Sequence, residues 1–131
     1  MTELQLFELL KERLMPDLEY SQHTMSRYDC YSLEYNADIE LKCRRKHYDE
    51  LVIEQIKWEA LMLRSSLFET IPVYINYTPQ GLYSFRLLEL EAPKWELKMM
   101  PKTTDFSSRH FIPKPVAMLH ISLAKDLSHI L

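Results

Sequence analysis

One glycine in 131 residues rules out the loops that cradle phosphate through several glycines, and with them the common nucleoside-triphosphatase and dinucleotide-binding readings. Cysteine is nearly as scarce. Cys30 and Cys43 are the only two, and buried thiols in a reducing compartment suit them better than a disulfide or a metal thiolate. The five histidines are scattered, with no pair at the helical spacing of metal ligands, which argues against a zinc site. No apolar run reaches eighteen residues, and the N-terminus carries acids where a secretory leader would carry a basic region and an apolar stretch. Neither a membrane span nor export is therefore expected, and the expected location is the cytoplasm, a host's cytoplasm if the protein is viral. An excess of positive charge is also missing: a formal net charge of −3 and a pI near 5.9 argue against coating nucleic acid by electrostatics alone. There is no internal repeat, low-complexity tract or linker.

What is present fits one domain over residues 1–131, since 47% apolar residues can build a core at this length. Residues 2–15 are expected to form a helix, with Thr2 as N-cap, Leu6, Phe7, Leu9, Leu10 and Leu14 as its apolar stripe, and Pro16 limiting its extent. Strands are expected at 18–22, 27–34 and 37–45. A second helix follows from Tyr48 to Arg64, with Val52, Ile53, Ile56, Ala60 and Leu63 on one face and Asp49 and Glu50 at the favourable end of its dipole. A hairpin then runs from 72–77 to 82–88 around Thr78-Pro79-Gln80-Gly81. Further strands are expected at 95–99 and 116–123, separated by a loop at 101–115, with a short helix or tail at 124–131.

The third strand carries the chemistry. Side chains of a strand alternate between faces, so in Asp38-Ile39-Glu40-Leu41-Lys42-Cys43 two acids and an amine share one face while Ile39, Leu41 and Cys43 share the other. Asn tolerates the left-handed backbone of a tight turn, so a two-residue turn at Tyr35-Asn36 would set Asp29 opposite Lys42 and Tyr31 opposite Glu40. Moving the turn to Asn36-Ala37 shifts the pairing but keeps Asp29 on the face of Glu40 and Lys42. A three-residue loop with a bulge would break that alignment. On an ordinary solvent-facing sheet the same residues would be a cross-strand salt-bridge set of small energetic value. Arg44, Arg45 and Lys46, followed by His47, form a basic cluster beside the acids, where phosphates could be steered. A solvated loop is the alternative.

Helix, three strands, helix and strand, carrying Asp29, Glu40-Leu41-Lys42 and the following amphipathic helix, resemble the PD-(D/E)xK nuclease superfamily over roughly residues 3–78. The resemblance implies an α/β fold: a restriction-endonuclease-like α-β-β-β-α-β core with a mixed central sheet flanked by helices, elaborated by C-terminal strands over 79–131. It further implies Asp29, Glu40 and Lys42 as catalytic residues, and Mg²⁺, replaceable by Mn²⁺, held by Asp29, Glu40 and the backbone carbonyl of Leu41. Glu8 would match an acid that some members, including archaeal junction resolvases, add from the first helix, and Gln55 or Lys57 a polar residue of the second. Those two lie near opposite sides of a helix, so one at most can face the site. Mg²⁺ prefers oxygen ligands and retains several waters, which makes a small set of carboxylates and a carbonyl sufficient.

Two features depart from the family pattern. Tyr28 stands where the motif's proline would precede Asp29, and the literal Pro16-Asp17 lies before the hairpin, outside the motif. A second Glu-x-Lys at Glu96-Leu97-Lys98 lacks the preceding hairpin acid and the following helix. Asp38 could replace Asp29 as a ligand but lies nearer the turn. The expected activity is a metal-dependent nuclease acting on DNA, of the resolvase or phage DNA-processing type, working as a homodimer because so small a domain offers little surface to a duplex. The runner-up is a catalytically silent module of the same fold that binds nucleic acid or a protein. RNA stays open as a substrate, since the motif acts on a phosphodiester and does not read the 2′-hydroxyl.

Overall fold

A computed structural model of the chain describes residues 1–21, 29–102 and 110–131. Helix α1 (Glu3–Arg13) starts as the sequence predicts: the Thr2 hydroxyl accepts from the Gln5 N–H, and the Gln5 side chain accepts from the Thr2 N–H. This capping box satisfies two N–H groups that the first turn would otherwise leave unpaired. After strand β1 (Glu19–Tyr20) come β2 (Asp29–Ser32) and β3 (Ala37–Cys43), an antiparallel hairpin. Strand β4 (Glu50–Glu54), helix α2 (Gln55–Phe68) and strand β5 (Ile71–Thr78) follow, and β5 returns parallel to β3. Strand β6 (Gly81–Arg86) folds back on β5. Strands β7 (Glu96–Pro101), β8 (Phe111–His120) and β9 (Lys125–Asp126) complete the order.

Two sheets result among the described residues, a larger one ordered β1-β2-β3-β5-β6-β9 and a smaller one ordered β4-β8-β7. β3 sits inside the larger sheet and is buried on both faces apart from partly exposed Lys42. Its odd-numbered residues Ile39, Leu41 and Cys43 join Leu6, Phe7 and Leu10 of α1, with Val73, Ile75 and Leu82, in one apolar cluster. The opposite face of the sheet contributes Tyr74, Tyr83 and Phe85 to a second cluster, with Leu51 and Ile53 of β4, Leu61 of α2, and Ala117 and Leu119 of β8. The even-numbered, polar residues of β3 lie on that second side, beneath α2.

The expected helix from Tyr48 to Arg64 is corrected: its first part is β4, and the helix begins at Gln55 and runs on to Phe68. Glu50-Leu51-Val52-Ile53-Glu54 is a short apolar run rich in β-branched residues, which periodicity alone does not separate from a helical turn. Its partner β8 lies far along the chain, with Leu51 opposite Leu119 and Ile53 opposite Ala117. The shift also moves Ile56, Ala60 and Leu63 from the expected core face to the surface, and Leu61 and Ser65 are buried instead.

The last third differs as well. β8 begins at Phe111, so Pro113 and Pro115 belong to a strand where a loop was expected. Both prolines pair with β7 beyond the stretch of β8 that β4 covers. One side of the strand there has no neighbouring ladder, so a missing N–H is tolerated. Residues 124–131 form β9 at the sheet edge and a short 3-10 turn at Ser128–Ile130.

Candidate active site

The β2–β3 hairpin closes through a four-residue loop, 33–36, because Ser32 pairs with Ala37. Asn36 takes the left-handed conformation expected of it, with φ 49°. This loop is two residues longer than a minimal turn, so Asp29 lies opposite Glu40 and Tyr31 opposite Asp38. Parity is unchanged by a shift of two, and Asp29 shares a face with Asp38, Glu40 and Lys42. The literal Pro16-Asp17 has a structural role nearby: the Asp17 carboxylate accepts from the Ser32 hydroxyl at 2.7 Å and the Glu34 N–H at 2.9 Å, fastening the loop.

Helix α2 brings two cations to these acids. Lys57 Nζ is 3.7 Å from Glu40 Oε1. Gln55 donates instead to Glu59, within its own helix, so of the two expected alternatives Lys57 is the one brought to the acids. Arg64, which sequence reasoning missed, donates from Nη1 to Asp29 Oδ2 and from Nε to Asp38 Oδ1, each at 3.1 Å. Thr70 Oγ1 donates to the second oxygen of Asp38. Nothing in the sequence marks Arg64, because its placement depends on the rotation of α2, which the misplaced helix start concealed.

Lys42 is largely withdrawn from water, and burial pulls its pKa below the usual lysine range. Arg44 and Lys57 push the same way, while Glu3 and Glu54 oppose them. Glu8 is exposed, and the acid of α1 that reaches β3 is Glu3, whose carboxylate accepts from the Cys43 N–H at 3.5 Å. The basic cluster divides. Arg44 turns inward, donating from Nε to Asn76 Oδ1 and from Nη2 to the Val52 carbonyl and the Tyr74 hydroxyl. Arg45 and Lys46 are exposed, and His47 lies between Thr78 and Asp49. Along 101–115, Lys114 pairs with Glu54 at 2.9 Å, the Lys102 N–H donates to the His110 carbonyl, and Arg109 lies outside the described residues.

Among the described residues no three Asp, Glu, His or Cys side chains group as a metal-ligand cluster. Asp29 and Glu40 with a main-chain carbonyl nevertheless suit a hard cation that retains most of its waters. Among the described residues Asp29 Oδ1 is buried without a hydrogen-bond partner, while Oδ2 is fixed by Arg64. A buried carboxylate oxygen left unpaired is costly unless another group meets it, and a cation would do so. The cysteines offer no alternative: burial raises both thiols to about 12.

The topology is restriction-endonuclease-like. It is shared with the solved structure of Hjc, a Holliday junction resolvase from the archaeal hyperthermophile Archaeoglobus fulgidus, at a TM-score of 0.59 and 13% identity, covering 98% of this chain and 95% of that one. No family model matches the chain, nor does any curated protein.

Proposed function

We propose that this chain is a metal-dependent DNA endonuclease that cuts branched DNA such as four-way junctions. It would be built as one nuclease unit and work in the cytoplasm as a homodimer. The observation that carries the reading is the facing of Asp29 and Glu40 across β2–β3, with Lys42 on the same face, in a fold shared with a junction resolvase. In this reading Asp29, Glu40 and the Leu41 carbonyl hold Mg²⁺ or Mn²⁺, and Lys57 steadies Glu40. The bound ion would polarise the scissile phosphate and lower the pKa of a water. Lys42 holds its proton less firmly than a free lysine, which suits it to orient or deprotonate that water or to steady charge developing on phosphate. In the same reading exposed Arg45 and Lys46 would grip the DNA backbone, while Arg44, tied to β4 and β5, serves the fold.

The test is cleavage of labelled linear duplex, single-stranded, flap and four-way-junction DNA, with RNA alongside, in Mg²⁺ and Mn²⁺. Wild type should cut the junction. Glu40→Ala should lose both cutting and metal binding, whereas Lys42→Ala should keep metal affinity and lose about 100-fold or more in turnover. Absence of metal-dependent cutting by folded wild-type protein on every substrate overturns the proposal.

A further inference from the structure

The network Thr70–Asp38–Arg64–Asp29 links the loop after α2 to one of the two acids given above to the metal. Both Asp38 oxygens are engaged, one accepting from Arg64 and the other from Thr70. Asp29 is different: it is 6% exposed, its Oδ2 is held by Arg64, and its Oδ1 has no partner among the described residues. Arg64 reaches both acids through separate nitrogens of one planar fork, a two-pronged hold that a lysine ammonium cannot reproduce.

We propose that Arg64 is a positioning residue: anchored on Asp38, it fixes Asp29 through Oδ2 so that Oδ1 is presented to the metal. This rests on the metal-dependent reading. Asp38 is then the anchor of Arg64 and does not ligate, although it shares the face of Asp29 and Glu40. Outer partners that orient a ligand typically change metal affinity by about 10–100-fold when removed. Arg64 also repels a cation, so deleting it alone would mix loss of positioning with relief of repulsion. The double variant Arg64→Gln/Asp38→Asn removes one charge of each sign and separates the two effects. The amide introduced by Asp38→Asn can still accept from Thr70, and no unpaired carboxylate is left at that position.

Mn²⁺ binding by calorimetry is the primary readout, with circular dichroism to verify folding and junction cleavage across a Mn²⁺ titration. The double variant should bind Mn²⁺ about 10–100-fold more weakly than wild type, and its cleavage rate at saturating Mn²⁺ should return to within about threefold. Arg64→Lys keeps the charge without the fork and should shift binding in the same direction, which provides the test if the double variant fails to fold. Wild-type Mn²⁺ affinity in the folded double variant, or in Arg64→Lys if the double does not fold, overturns the positioning role and leaves the nuclease reading intact. Absence of Mn²⁺ binding by wild type overturns both. Abolished binding in Asp38→Asn alone would make Asp38 a ligand and overturn the proposal.

Discussion

Asp17 shows how a single carboxylate can be tied to the candidate site without belonging to it. Hydrogen bonds from the Glu34 N–H, then from the Ser32 hydroxyl, hold its pKa below the ordinary 3.8. Both bonds fasten the 33–36 loop, whose length sets Asp29 opposite Glu40. A carboxylate with a folded-state pKa below its unfolded value binds fewer protons when folded. Its stabilisation is therefore complete above the unfolded pKa and fades as pH falls through the lowered one. Asp17→Ala should be less stable than wild type in denaturant at pH 7, and the gap should narrow at pH 3 and below. A gap that is constant with pH would mean that the ionised form contributes nothing to closing the loop.

At the scale of elements, the central hairpin was legible and α2 was not, for one physical reason. The hairpin is local: alternation along 37–43 fixes which residues share a face, and a loop longer by two residues moves the register without changing parity. β4 depends on a partner at 116–120, so only a non-local pairing reveals that 50–54 leave the helix. Arg64 was hidden for the same reason, as was the exposure of Ile56 (70%), Leu63 (62%), Leu67 (69%) and Phe68 (69%) along α2. Exposed apolar residues at helical spacing are what a second helix or a second copy buries, and in the proposed dimer this stripe would be the contact. Wild type should sediment at twice 15.7 kDa, and Leu63→Glu/Leu67→Glu should sediment as a folded monomer. A monomeric wild type rules the dimer out, and a dimeric double variant places the contact elsewhere.

For the whole molecule, the decisive contact is the seam between the two sheets, and Arg44 spans it. The same guanidinium, on the residue that follows β3, holds Asn76 and Tyr74 of β5 and the Val52 carbonyl of β4, so β5 and β4 meet at one cation. Tyr74 adds its own bond to that carbonyl at 3.0 Å. Side-chain charge in the basic stretch is thus spent in two ways, inward at Arg44 on the fold and outward at Lys46 on solvent. Hydrogen bonds to a charged donor are worth more than neutral ones, and stranding buried acceptors adds to the loss. Arg44→Gln should cost about 2–4 kcal/mol of unfolding free energy. Lys46→Gln should stay within about 0.5 kcal/mol, as surface substitutions do. Urea denaturation of both variants tests the division. Equal losses would mean that the seam does not rest on Arg44, whereas the expected inequality would separate the residue that joins the sheets from one that faces solvent.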